Sequence, residues 1–187
     1  MDSTEAARRE AERLHRANVA AGGDPTRPLA FALREATSRG LDVYALQEGD
    51  SQLKGGKATF DSQAGTILYE DLGSDFERAF LIAHELGHVV LEGGTLDVVT
   101  EDVEPDRSLE DSPVGVDRLL DYGARERREV KMDFFAREFL LPRPVLRELH
   151  VNEGLTSDAI TKRFGAPLAV VQQQLLDALL LPPAEEP

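Results

Sequence analysis

Apolar residues recur at helical spacing in three segments of the N-terminal half. Residues 5–21 and 27–39 each place alanine and leucine on one side and charged residues on the other, and both patterns end at glycine. The third segment, 75–92, is the most apolar of the three and is followed by two glycines. Ser74 and Glu77 precede it with the spacing of a capping box. These patterns predict three helices, the third with both ends defined.

Three shorter segments lie between the second and third helices. Residues 41–46, 57–61 and 65–70 are rich in β-branched, aromatic and aliphatic side chains, and glycine-containing turn sequences separate them. Such runs are typical of strands. We therefore expect an α+β fold in which a small mixed or antiparallel sheet packs on helices.

The segment over residues 94–124 has no such periodicity. It is rich in aspartate and glutamate and contains two prolines. A connection of this length inside a compact domain is typical either of a lid over a functional site or of a partly disordered loop. Both interpretations stay open from the sequence.

Helical periodicity returns over residues 125–141. Residues 156–181 then have the pattern of two helices joined by the sequence FGA. The expected organisation is one domain over residues 1–145, a C-terminal helical segment over 146–181, and a linker-like tail over 182–187.

Composition narrows the function classes. The 187-residue chain has no cysteine, so a metal would need histidine and carboxylate ligands. Its formal net charge of −14 disfavours generalised binding to nucleic acid or anionic lipid. The N-terminus lacks the apolar core of a signal peptide, and no apolar run approaches the roughly 20 residues of a membrane span. We expect a cytoplasmic protein without a membrane segment.

The sequence LIAHELGHVV places His84, Glu85 and His88 inside the predicted helix over 75–92. His84 and His88 would lie one turn apart on the same face, so both imidazoles could bind one ion. Glu85 would lie about 100° around the helix from His84. That position suits a general base acting on a metal-bound water better than it suits a third metal ligand. The alternative is a pair of core or surface histidines without a metal. The apolar neighbours favour the metal, because buried histidines need partners.

A catalytic zinc usually has three protein ligands, so one more is needed. Asp97 and Glu129 are the carboxylate candidates, and Glu129 is favoured because a rigid helix positions a ligand better than an acidic loop. Asp133, one helical turn later, could hold the second ring nitrogen of a ligand histidine. His150 is a candidate oxyanion donor, with an ordinary surface histidine as the alternative. His15 is expected at the surface.

The combined pattern resembles the ImmA/IrrE family of zinc metallopeptidases. The resemblance covers roughly residues 25–180 and rests on RAFLIAHELGHVVLE, a downstream Glu-x-x-x-Asp and FFAREFLLP. It implies a zincin-like fold and bound Zn²⁺. Carried over to this sequence, the family's site consists of the zinc ligands His84, His88 and Glu129, the base Glu85, and the supporting carboxylate Asp133.

The resemblance also implies a function. Such enzymes are endopeptidases that cleave a protein partner, in this family a DNA-binding transcriptional repressor, in a stress, DNA-damage or mobile-element response. The alternative is a regulatory binding module that retains a structural metal site, as part of a larger, helicase-like fusion. The proline-containing tail over 182–187 would suit such a junction.

The C-terminal helices over 156–181 resemble a helix-turn-helix. Lys162 and Arg163 are their only nearby cations, and Gln172–Gln174 are the only plausible base readers. Phosphate contacts dominate affinity for nucleic acid, so we expect packing or a protein partner rather than DNA binding. The residues expected to pack are Val170, Val171, Leu175, Leu179 and Leu180.

Overall fold

The computed structural model describes residues 3–108 and 122–181 and has an α+β architecture, as expected. Its helices are α1 (Ser3–Ala20), α2 (Pro28–Ser38), α3 (Asp75–Glu92), α4 (Tyr122–Leu140), α5 (Arg143–Arg147), α6 (Ser157–Phe164) and α7 (Leu168–Leu180). Its strands are β1 (Asp42–Leu46), β2 (Ala58–Asp61), β3 (Thr66–Glu70) and β4 (Val98–Thr100). A short 3₁₀ turn occupies Ser51–Leu53, and a π-helical turn occupies Glu148–Asn152.

The sheet is mixed, with the strand order β1-β3-β2-β4. β1 pairs with β3 in parallel, whereas β2 pairs with both β3 and β4 in antiparallel orientation. Three of the strands match the predicted segments. β4 was not predicted, because it is only three residues long and lies in the acidic segment over 94–124. Residues 109–121 of that segment lie outside the described part of the chain. The two interpretations of the segment, a lid or a partly disordered loop, therefore stay predictions.

α3 has the ends that the sequence predicts. The Ser74 hydroxyl accepts a hydrogen bond from the Glu77 backbone N–H, and the Glu77 carboxylate accepts one from the Ser74 N–H in return. Gly93 ends the helix in the left-handed conformation, with φ of 78°. Glycine has no Cβ penalty there. Local signals therefore fix the bounds of α3 at Asp75–Glu92.

α3 and α4 approach each other closely at Gly87. A Cβ added at Gly87 would lie 2.9 Å from Sδ of Met132 and 3.1 Å from Cδ1 of Phe135. Both distances are below an ordinary van der Waals contact between heavy atoms. The glycine therefore allows the axes of α3 and α4 to approach closely. Side chains of the two helices that lie one turn from Gly87 can then meet.

α4 is buried on more sides than its sequence indicates. The predicted apolar side is buried, with Met132, Phe135, Ala136 and Phe139 all at 0% exposure. Its polar residues Asp133, Arg137 and Glu138 are also buried. Helices on several sides of α4 therefore enclose charged groups, which must find partners inside the protein.

The C-terminal helices differ from the prediction in α7. Val170, Val171 and Leu175 are buried as expected, but Leu179 and Leu180 are exposed at 44% and 73%. Gln174 is fully buried, so it cannot read a base. Its amide donates to a Glu138 carboxylate oxygen and to the Leu141 carbonyl. This polar contact joins the middle of α7 to α4, whereas the end of α7 leaves Leu179 and Leu180 exposed.

One hydrophobic core runs through the described residues. It joins side chains of α1, α2, α3, the sheet and α4 to others from α5, α6 and α7. The division into 1–145 and 146–181 remains a prediction. Within the described ranges, no helix is long and apolar enough to cross a membrane.

Candidate metal centre

Three potential ligand atoms meet between α3 and α4. Nε2 of His84 lies 3.1 Å from Oε2 of Glu129, and Nε2 of His88 lies 3.6 Å from the same oxygen. One ligand atom from each of the three residues falls within 4.8 Å of the other two. Two imidazoles and one carboxylate form a donor set typical of catalytic zinc sites. The structure thus brings together the three residues proposed as ligands from the sequence.

The second ring nitrogen of each histidine faces a carboxylate. Nδ1 of His84 lies 3.0 Å from Oδ1 of Asp133, and Nδ1 of His88 lies 3.0 Å from Oε2 of Glu92. A carboxylate accepts a hydrogen bond from Nδ1–H, so a neutral imidazole in this arrangement keeps its lone pair on Nε2. Both Nε2 atoms therefore suit a metal between α3 and α4. Asp133 lies where the sequence argument expected a supporting carboxylate.

The partners of Asp133 and Glu92 complete the surroundings of the histidines. Nε of Arg107 donates to Oδ2 of Asp133 at 3.0 Å. Nε of Arg128 donates to Oε1 of Glu92 at 2.7 Å. Sequence reasoning missed Glu92 and both arginines. Glu92 had a usable signal, because it follows His88 at the i, i+4 spacing that places two side chains on one helix face.

The charges of the site favour a cation. We define the metal-facing cluster as His84, Glu85, His88, Glu92, Arg107, Arg128, Glu129 and Asp133. With neutral imidazoles, its four carboxylates and two guanidinium groups leave a net charge of two negative units in the cluster. A divalent cation would neutralise that charge, and Nε2 of His88 is a buried atom with no hydrogen-bond partner in the described residues. The residues present therefore fit a divalent metal.

The pKa values of the cluster show the same preference. Burial by itself would lower the pKa of His84, but hydrogen bonds to Asp133 and Glu129 prevail and raise that pKa to about 10. Burial would raise the pKa of Glu129, but the hydrogen bond from His84 and the nearby imidazole of His88 prevail and hold that pKa well below its ordinary value. The carboxylates thus favour positive charge at the imidazoles, which is where a bound metal would supply it.

Glu85 is fully buried beside the two histidines. Its Oε1 accepts a 2.6 Å hydrogen bond from the Thr100 hydroxyl, whereas its Oε2 has no partner among the residues that the structure describes. Burial raises the pKa of Glu85. A carboxylate with one free oxygen and a raised pKa can accept and release a proton. Thr100 was also missed, because it lies in the unpredicted strand β4.

The remaining sequence candidates lie elsewhere. Asp97 is exposed, and its Oδ1 accepts hydrogen bonds from the Ser62 backbone and hydroxyl at 2.9 and 2.8 Å. His150 is exposed, and its Nδ1 lies 2.8 Å from the Leu155 carbonyl. Neither belongs to the group of three ligand atoms. The expectation of a surface position for His15 is wrong, because helices α2 and α4 cover it and leave 3% exposure.

The comparison with known protein families supports this centre. Residues 38–110 match a peptidase family whose model is described as the IrrE N-terminal-like domain. This segment, which is less than half of the chain, is similar to that family. The resemblance to the ImmA/IrrE family is therefore confirmed. The match supports a metal-dependent peptidase, and it spans α3 with His84, Glu85 and His88. It ends before Glu129 and Asp133, and no curated protein matches the chain.

Proposed function

We propose that the protein is a zinc-dependent endopeptidase that cleaves a protein partner. The convergence of Nε2 of His84, Nε2 of His88 and Oε2 of Glu129 carries this proposal. The three residues would hold Zn²⁺, with Asp133 and Glu92 fixing the orientation of the two imidazoles. The peptidase family of residues 38–110 supports the reaction type.

A zinc ion held there would supply Lewis acidity, which acidifies water and polarises the carbonyl of the peptide bond. Glu85 would take the proton from the attacking water on its free Oε2 and pass it to the leaving amine. The raised pKa of Glu85 suits this double role, because a general base must also give the proton back.

The proposed substrate is a DNA-binding transcriptional repressor that is cleaved in a stress, DNA-damage or mobile-element response. The formal net charge of −14 supports a substrate of this kind. DNA-binding proteins carry basic surfaces, and opposite net charges speed the encounter of two proteins. We further propose that the activity lies in the cytoplasm.

The test is proteolysis of purified candidate repressors by zinc-loaded wild type and by Glu85→Gln. The variant keeps the zinc ligands, so it should bind zinc and stay folded but produce no fragments. Glu126→Gln is the matched control, because Glu126 is an exposed glutamate on α4 and should leave cleavage unchanged. If Glu85→Gln retains full biological activity, the protein acts instead as a regulatory binding module with a structural metal.

A further inference from the structure

Thr100 and Glu85 form a buried contact between the edge strand of the sheet and α3. The Thr100 hydroxyl donates to Oε1 of Glu85 at 2.6 Å, and the two side chains are 1% and 0% exposed. A hydrogen bond to a charged group in a buried place is stronger and shorter than one between neutral groups. This contact therefore fixes the rotation of the Glu85 carboxylate.

The backbone of Thr100 is itself held in place. Its carbonyl accepts a 2.8 Å hydrogen bond from Lys57 N–H, and its Cα pairs with Ala58 in the antiparallel ladder. Gly56 allows this close approach, because a Cβ there would lie 2.5 Å from the Thr100 carbonyl oxygen. A backbone anchored in this way places the hydroxyl at a fixed point beside α3.

We propose that Thr100 is a positioning residue for Glu85 and that its hydroxyl keeps Oε2 of that carboxylate free for the proton. With Oε1 bonded to Thr100, Oε2 is the oxygen of Glu85 that has no hydrogen-bond partner in the described part of the chain. The inference rests on the proposed peptidase function. Among the residues that the structure describes, the Thr100 hydroxyl bonds to Glu85 and to neither histidine, so its effect on the site passes through Glu85.

The chain offers a matched control in the neighbouring strand. Thr59 is a second buried threonine, at 2% exposure, and its hydroxyl donates to the Val98 carbonyl instead of to Glu85. Thr59→Val and Thr100→Val each remove one buried hydroxyl and keep the β-branched shape that suits a strand. A general loss of packing would affect both variants, whereas loss of positioning would affect only Thr100→Val.

The experiment combines a spectroscopic and a kinetic measurement on the zinc-loaded full chain. The carboxylate ¹³C resonance of Glu85, assigned by its absence from Glu85→Gln, should shift in Thr100→Val and stay in place in Thr100→Ser and Thr59→Val. With a cleaved repressor, Thr100→Val should lower kcat by roughly 10- to 100-fold, with KM and zinc content unchanged. Thr100→Ser should restore most of the rate.

Two results would overturn the proposal. One is a Glu85 resonance in Thr100→Val that coincides with that of the wild type. The other is an equal loss of kcat in Thr59→Val and Thr100→Val. If the wild type cleaves none of the repressors, the proposed function fails, and the resonance alone still decides whether Thr100 orients Glu85.

Discussion

The two ends of α4 each carry a buried cluster of charged side chains, and the clusters differ in how completely their charges are paired. The metal-facing cluster surrounds Glu129 and Asp133. The other, which we call the C-terminal cluster, consists of Glu5, Arg8, Arg137, Glu138, Arg143, Gln174 and Asp177. Its three guanidinium groups face three carboxylates, and none of its side-chain atoms appears among the buried unbonded atoms of the described residues.

The metal-facing cluster has excess negative charge and two buried atoms that lack a partner in the described part of the chain, Oε2 of Glu85 and Nε2 of His88. The C-terminal cluster holds α1, α4, α5 and α7 together, and its buried polar side-chain atoms all have partners within the described residues. Buried polar groups are normally satisfied, so the unsatisfied ones mark the place where another group is expected. Burial and charge alone would have selected both ends of α4 as candidate sites.

The histidines at the two ends show the same contrast. The pKa of His84 is raised to about 10, because its hydrogen bonds to two carboxylates outweigh its burial. His15, beside the other end of α4, has a lowered pKa because burial disfavours its charge and only the Phe139 carbonyl accepts from it. One environment favours positive charge on the imidazole, and the other excludes it.

The largest expected effect is on the C-terminal cluster. Asp177→Ala should destabilise the protein by about 3–5 kcal/mol, because it leaves the buried guanidinium groups of Arg8 and Arg137 without their shared carboxylate. The free energy of unfolding from urea titration measures this loss, which should be equal with and without zinc. Glu153→Ala, in an exposed pair with Arg163, is the control and should cost less than about 1 kcal/mol. Equal losses in the two variants would contradict the structural role of the cluster.

A smaller effect is expected at the metal-facing end. Asp133→Asn removes the charge that faces Nδ1 of His84 and should weaken zinc binding by about 10- to 100-fold. Competition with a chromophoric chelator measures the affinity. Asp106→Asn, an exposed change close to Arg107 in sequence, should leave it unchanged. Wild-type affinity in Asp133→Asn would show that the carboxylate does not support the ligand.

The smallest expected effect is a loss of stability at acidic pH that depends on His15. Its lowered pKa means that the unfolded chain takes up the proton first, so the stabilising effect of the neutral imidazole is complete above about pH 6.5 and is lost below it. Relative to His15→Gln, the wild type should lose at most about 1.4 kcal/mol per pH unit between pH 6.5 and 5. Thermal or urea unfolding of both proteins across this range measures the difference. A constant difference would show that His15 does not titrate as a buried group.

The sequence was most informative where structure follows from local spacing. The i, i+4 pairs His84–His88 and Glu129–Asp133 depend only on helical geometry, and both helices formed near their predicted bounds. The ends of α3 could also be predicted from local sequence, because the capping box and Gly93 lie next to the helix in the chain.

The missed features depend on contacts between distant segments. Thr100 reaches Glu85 only because β4 pairs with β2. This pairing involves three residues, and the acidic residues around them in the sequence do not indicate a strand. His15 is buried because Phe31 and Phe139, from two other helices, cover it. Periodicity identifies which side of a helix is apolar, but it does not show how many other elements will enclose that helix.

Zinc stoichiometry and zinc-dependent stability of Glu129→Gln test the central claim most directly. Wild type and the exposed-site control Glu126→Gln should each bind about one zinc per chain, and zinc at 1,000 times Kd should stabilise them by about 4 kcal/mol. Glu129→Gln should lose both the stoichiometric zinc and the stabilisation while remaining folded. Wild-type zinc content and stabilisation in Glu129→Gln, or a folded wild type that binds no zinc, would contradict a metal centre formed by His84, His88 and Glu129.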